Sequence, residues 1–178
     1  MDKTSLRRTI RELKHRCATE QLDSWSARLA IALESHPWFK QAPHILMFAS
    51  LPDEPDTFGL LRKYAPQKHL YLPAVVGQEI EVRQYESEAD LCAGAFGISE
   101  PAGKVLTDLS VLDLIVVPGV AFDAEGHRLG RGRGYYDRLL ARPGVRARLI
   151  GYAFPFQLVE TVPHNAHDIS VQTVITIS

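Results

Sequence analysis

The sequence has no excess of charge of either sign. Twenty lysine and arginine residues stand against 21 aspartate and glutamate residues, a formal net charge of -1. Bulk attraction to nucleic acid or to an anionic membrane is therefore not expected, and an anion site has to come from local clustering. Cysteine is scarce: Cys17 and Cys92 have no metal-ligand spacing, and two free thiols are ordinary in a reducing compartment. No apolar run approaches the length of a membrane span. The start, Met1 to Ser5, is polar and leads into a charged segment without the apolar stretch of a secretory signal, so a cytoplasmic location is expected. Internal repeats and low-complexity tracts are missing. So are two phosphate-binding signatures, the Walker-type G-x-x-x-x-G-K-[ST] loop and a G-x-G-x-x-G turn directly after a strand.

What remains is a chain of 178 residues with 46% hydrophobic and 23% charged content, enough to bury a core and expected to form one domain over residues 1–178. Leu6, Ile10, Leu13 and Cys17 fall on one helical stripe, with Lys3, Arg7, Arg11 and Lys14 along its edge. A second helix is predicted from an N-cap at Thr19, with Glu20 and Asp23 in its first turn and Leu22, Trp25, Leu29 and Leu33 inward, ending near Pro37. His44 to Ala49 reads as a strand buried on both faces. A loop from Ser50 to Asp56 then leads to a short helix capped by Asp56 or Thr57 and containing Leu60 and Leu61. Leu70 to Pro73, Asp113 to Pro118, Arg148 to Tyr152 and Gln172 to Ile177 read as further strands. Glu79 to Tyr85 alternates as a half-exposed strand does. A long loop from Gly119 to Gly134 is expected to feed a helix near Tyr135. Strands alternating with helices predict a three-layer, Rossmann-like α/β fold, a mainly parallel sheet with helices on both faces. Ligands of such sheets sit at the carboxyl ends of the strands, where the loops of Glu54, Gly130 to Asp137 and Asp168 should emerge.

The segment richest in chemistry is Arg128-Leu129-Gly130-Arg131-Gly132-Arg133-Gly134-Tyr135-Tyr136-Asp137. Glycines at alternate positions permit positive φ and close approach of the backbone to a ligand, and successive free N–H groups can form an anion nest. A helix start just beyond favours phosphate further. Arg128, Arg131 and Arg133 add charge and forked donors, and Asp137 could hold Mg²⁺. A flexible surface loop and an RNA-binding Gly/Arg segment stay open beside this reading. Taken singly, Lys3 and Arg7 read as a solvated basic face, Glu54 as an acidic turn, His164 and His167 as loop residues, Asp168 as a possible Mg²⁺ ligand, and Tyr135 and Tyr136 as packing residues.

In order and spacing these segments resemble the 5-formyltetrahydrofolate cyclo-ligase family. The likeness covers Lys3 to Arg7, Ser50 to Thr57, Phe96 to Pro101, Pro118 to Asp123 and Gly126 to Asp137. It implies an ATP- and Mg²⁺-dependent ligase that turns 5-formyltetrahydrofolate into 5,10-methenyltetrahydrofolate, ADP and phosphate. It implies ATP contacts at Lys3, Thr4, Ser5, Leu6 and Arg7, and at Arg128, Leu129, Gly130, Arg131, Gly132, Arg133, Gly134, Tyr135 and Tyr136. Folate contacts are implied at Arg7, Ala49, Glu54, Arg131, Gly132, Arg133, Gly134 and Tyr135, with Glu54 on the pterin ring. Asp137 and Asp168 would hold the metal. Arg131, Arg133 and Tyr135 are the candidate catalytic residues, and no general base is assigned. Many members carry lysine where this chain has Arg133. A monomer acting on small molecules, with neither nucleic acid nor membrane as partner, is expected; a non-catalytic folate- or nucleotide-binding module of the same fold is the alternative.

Overall fold

The computed structural model describes residues 1–178. The first helix, α1 (Lys3–His15), is capped by Asp2, whose carboxylate accepts the Ser5 N–H at 2.7 Å. Leu6 and Ile10 are its buried residues. Cys17 lies past its end, where the thiol donates to the Leu13 carbonyl. Helix α2 (Thr19–Ser35) buries Leu29 and Leu33, with Leu22 and Trp25 packed at the margin of the same cluster. Pro37 opens a separate short helix, α3 (Pro37–Gln41). It takes the first helical position, where a missing N–H costs nothing, and His36 Nδ1 accepts the Trp38 N–H.

Strand β1 (His44–Leu46) and helix α4 (Phe58–Tyr64) follow. The two candidate caps of α4 divide the work. Asp56 accepts the N–H groups of Phe58 and Gly59, while the Thr57 hydroxyl donates to the Phe48 carbonyl at 2.6 Å. Strands β2 (His69–Val76) and β3 (Glu79–Tyr85) form an antiparallel hairpin, and β4 (Leu91–Ala93) and β5 (Ser99–Pro101) a second, smaller one. After β6 (Leu114–Val117), the small hairpin of β7 (Ala121–Phe122) and β8 (Arg128–Leu129) precedes α5 (Tyr135–Leu140), β9 (Arg148–Tyr152) and β10 (Thr173–Ile175).

Six strands form one sheet in the order β10-β9-β6-β1-β2-β3, parallel throughout except for β3. Alternate residues of each strand face opposite layers. Ile45 and Met47 pack with α2, α3 and α4 on one side; Leu46, Ile115 and Val117 pack with Leu139 and Leu140 of α5 on the other. Helix α1 lies apart from both layers. Its Leu6 and Ile10 bury against Ala121, Leu129 and Val162 at the end of the sheet. The chain runs from β1 outward to β2, then returns to β6 on the other side of β1. The crevice beyond the carboxyl ends of β1 and β6 is thus the topological switch point, the usual ligand position in open α/β sheets.

Several boundaries differ from the sequence expectations. Thr19 is not the cap of α2: Ala18 is the last extended residue, and it offers no side-chain acceptor. The ladder of β1 stops at Leu46 although burial continues to Ala49, and β2 extends to Val76 because it pairs with β3 from Leu70 to Val76. The stretch from Gly119 to Gly134 contains the β7–β8 hairpin. The β4–β5 hairpin, in a region given no structure from sequence, is built from two three-residue strands too short to show a period.

Because α2 starts without a side-chain cap at an exposed position, Ala18→Asp is expected to stabilise the protein by about 1 kcal/mol. Urea unfolding of the two proteins side by side checks it; an unchanged or lower midpoint counts against the capping argument.

Candidate active site

The crevice is a cavity of about 540 Å³. The ends of β1 and β6 floor it with Phe48, Ala49, Pro118 and Gly119. One side is polar: Lys3 and Arg7 from α1, Glu54 from the loop after β1, and the run from Arg128 to Asp137, with Asp168 behind it. The other side is apolar: Pro73 and Val75 of β2, Ile80 of β3, and Phe96 and Ile98 of the small hairpin. Of the residues singled out from sequence, Thr4, Ser5 and Leu6 stand outside. Lys3 and Arg7 are one turn apart on the face of α1 toward the cavity, whereas Leu6 is 4% exposed in the core beside Leu129. Leu129 lines the cavity with its side chain also buried, at 1% exposure, which leaves its backbone as the part a ligand can reach.

The Gly/Arg loop is built to expose backbone. None of the five N–H groups from Gly130 to Gly134 donates a hydrogen bond within the chain. Gly132 and Gly134 have φ of 108° and 71°, a conformation that would strain any other residue. Arg131, Gly132 and Arg133 are exposed, so these donors face solvent, and five in a row are available to an anion. Helix α5 is only six residues long, so its dipole adds little, and the arginines carry the positive field. Arg7 fixes the loop by donating from Nε to the Gly130 carbonyl at 2.9 Å.

Most charges in the cavity already have partners. Arg131 meets Glu54 at 2.6 Å and lies 3.9 Å from Asp53, which in turn is bonded to Lys14. Glu54 is held from its other oxygen by the Leu51 N–H at 2.9 Å, so the residue read as an acidic turn is in fact 15% exposed at its side chain. Lys3 meets Asp168 at 2.5 Å. Burial works to raise the Asp168 carboxyl, but Lys3, the Asn165 N–H and the Arg128 charge outweigh it and hold it low. Arg128, 6% exposed, donates to the Pro118 carbonyl and to Asp137 Oδ1, which also accepts the Ile169 N–H. Arg7 and Arg133 have no carboxylate. The planar Arg133 guanidinium lies 4.3 Å over the Phe96 ring, a stack that suits arginine better than lysine.

Tyr135 opens α5 and packs at the margin of the cluster that holds Leu139 and Leu140, and its hydroxyl reaches the Gly77 carbonyl at a long 3.5 Å. Tyr136 has a buried hydroxyl with no partner. Burial, with the Glu54 charge adding to it, pushes this phenol far above its usual range, so it stays neutral. His164 lies in the loop after Val162, as the sequence reading had it. It stacks on His127 at 3.6 Å and bonds the Val162 carbonyl.

Sequence reasoning gave no role to the apolar wall or to Asp123. The wall comes from strands far apart in the chain, and only the Phe96 to Pro101 segment carried a hint. Asp123 is 2% exposed and accepts from the amides of Glu125, His127 and Val162 and from the His127 ring. It ties the β7–β8 hairpin, which presents Arg128 and the loop, to the segment leading to Asp168.

Comparison with known proteins gives the same identity at three levels. Residues 1–177 match the profile of the 5-formyltetrahydrofolate cyclo-ligase family. The 5-formyltetrahydrofolate cyclo-ligase of Escherichia coli K12 is 31% identical over 94% of this chain and 96% of its own length. The mouse enzyme of that name is 29% identical over 97% and 92%. The solution structure of Aquifex aeolicus 5,10-methenyltetrahydrofolate synthetase superposes with a TM-score of 0.87 at 38% identity, covering 99% of this chain and 90% of that one. The Mycoplasma pneumoniae synthetase, at 20% identity and a TM-score of 0.79, shares the fold. The chain belongs to the 5-formyltetrahydrofolate cyclo-ligase family and, like its relatives of that name, is a ligase.

The frame around Asp123 has a pH signature. Burial works to raise its carboxyl, but the Val162 amide, the His127 side chain and the His127 amide outweigh it and hold it below the ordinary aspartate value. A carboxyl lowered by folding stabilises above its unfolded pKa, and that contribution disappears as pH falls through the folded value. Asp123→Asn is expected to cost about 1–3 kcal/mol at pH 7, with the gap to the parent protein closing below about pH 4. Unfolding curves at both pH values read this directly; a gap independent of pH contradicts it.

Proposed function

We propose that the chain binds ATP, Mg²⁺ and 5-formyltetrahydrofolate in this cavity and converts the folate to 5,10-methenyltetrahydrofolate, releasing ADP and phosphate. The observation that carries the reading is the row of five free N–H groups with Arg7 and Arg133, two cations without carboxylates, opposite an apolar wall. The first half suits a phosphate chain and the second a flat, reduced heterocycle.

The chemistry needs both halves. An amide oxygen is a poor leaving group. Transfer of the terminal phosphoryl group to the formyl oxygen makes it a good one and releases ADP. The folate's second reactive nitrogen then bonds to the formyl carbon, the carbon–oxygen bond breaks, phosphate departs, and the nitrogen's proton is lost as the ring closes. The protein's part is to position the reactants and to balance charge on the moving phosphoryl group. Arg131, Arg133 and Tyr135 border both halves and take that role. Ala49 lies at the floor where the reacting groups would meet.

Asp137 and Asp168 suit Mg²⁺. Each keeps one oxygen free of hydrogen bonds, Oδ2 of Asp137 and Oδ1 of Asp168, and the Ile169 amide holds their segments side by side. No third carboxylate, histidine or cysteine joins them. That is the donor set of an ion that retains water and shares phosphate oxygens. Bound there, it would neutralise charge on the phosphates.

Glu54 fits the pterin ring, whose adjacent N–H groups a carboxylate can accept together. At rest it is bonded to Arg131.

The reading is checked by methenyl-folate absorbance, expected only when ATP, Mg²⁺ and 5-formyltetrahydrofolate are all present. Folate binding without turnover would instead favour a non-catalytic module. Asp137→Asn, which still accepts the Ile169 N–H, should lower kcat by about a hundredfold or more. Glu54→Gln should raise the folate KM about tenfold or more while shifting the ATP KM less than about threefold. Equal effects on both would remove Glu54 from the pterin role.

A further inference from the structure

Four carboxylates line the cavity, and three are matched by a cation: Glu54 by Arg131, Asp137 by Arg128 and Asp168 by Lys3. The fourth is Glu100, on β5, and it makes no ion pair. Its Oε1 accepts the Val75 N–H at 2.9 Å, and its Oε2 has no partner in the chain. It stands on the apolar side, near Val75 of β2 and two residues from Ile98. The hairpin leaves room for it. A Cβ on Gly94 would come within 2.3 Å of Glu100 Cγ and Cδ and 2.7 Å of Oε2, so the side chain crosses the hairpin over a residue that has no side chain.

A half-buried carboxylate beside an apolar wall is costly unless donors meet it. Phosphates and the glutamate tail of a folate are anions and are repelled. An N–H of a flat ring is attracted and can lie against Phe96, Ile98 and Pro73 at the same time. We propose that Glu100 is a specificity-determining residue whose free oxygen accepts an N–H of the reduced pterin framework and so selects reduced over oxidised folates. This rests on the folate reading of the cavity given above. The chemical basis is a change of sign. With N5 formylated, the reduced ring of the substrate still carries an N–H at N8, where the oxidised pterin carries a bare nitrogen lone pair, and a carboxylate attracts the first and repels the second. Sites built to bond an N–H discriminate strongly against analogues that lack it.

The test compares equilibrium binding of 5-formyltetrahydrofolate, folic acid and ATP to the parent protein, to Glu100→Gln and to Gly94→Ala, with a thermal melt of each. Gln keeps an acceptor for the Val75 amide but loses the charge, and its NH₂ can face a bare ring nitrogen. Ala at 94, where φ is an ordinary -109°, displaces the carboxylate without removing it. In both variants the preference for the reduced ligand should narrow by about tenfold or more, with ATP affinity within about twofold of the parent. A purely structural role would weaken both folates together and leave their ratio alone. A ratio unchanged within about twofold in both variants overturns the assignment of Glu100 while the ligase reading stands. A parent protein that binds neither folate overturns both.

Discussion

The site depends on a buried arginine. Arg128 is almost wholly removed from solvent, and a cation in that position is tolerated only when acceptors surround it. The chain supplies two from distant places, the Pro118 carbonyl at the end of β6 and the Asp137 carboxylate in the first turn of α5, with the face of Tyr136 5.8 Å away, and leaves only Nε buried without an acceptor. Asp137 in turn accepts the amide of Ile169. One ion pair thus fixes a sheet strand, a hairpin, a short helix and the segment of Asp168 relative to one another. The Gly/Arg loop begins two residues after Arg128, so its glycines are free at the backbone without being free in space.

This explains what could be read in the sequence and what could not. The strands of the parallel sheet are continuous apolar runs and declare themselves, as does the alternation of β3. The Gly/Arg loop is legible because positive φ leaves a mark in composition. The contiguous contact range from Lys3 to Arg7 is less informative than the helix it sits on. The stripe that holds Leu6 and Ile10 already commits Leu6 to the core, so only the flanking Lys3 and Arg7 can reach the cavity. Glu54 is harder. Nothing local distinguishes it from a solvated acid, since its burial comes from Arg131, 77 positions away. The β4–β5 hairpin leaves no periodic trace, and the apolar wall it completes is visible only in three dimensions.

Phe96 shows how such a feature is maintained. It is the one residue other than glycine with positive φ, at 59°, and its ring is half exposed. A bulky residue in that conformation is strained by about 1–3 kcal/mol and persists only where its surroundings hold it. Here the Arg133 guanidinium covers the ring from one side and Tyr135 approaches at 6.3 Å. The Gly/Arg loop and the apolar wall are thereby in contact, and arginine at 133 belongs to both.

The distribution of charge also sets how binding can occur. For the less exposed side chains of the cavity, unmatched charges would be costly before any ligand arrived. The protein avoids most of that cost by matching its own groups: Lys3 with Asp168, Arg128 with Asp137, Arg131 with Glu54. Binding at such a site is an exchange of partners more than an addition of contacts. On the proposed reading, a ligand bond to a matched group would be offset by one lost within the chain, and the surplus would come from the groups left over: the five free amides, Arg7, Arg133 and the free oxygen of Glu100. Amides and arginines favour an anion; the unmatched carboxylate favours a donor. Because these opposite preferences lie on opposite walls of one cavity, a ligand that satisfies one wall leaves the other open. On the proposed reading, two ligands of different chemistry would bind at once, as a ligase that joins their reactions requires.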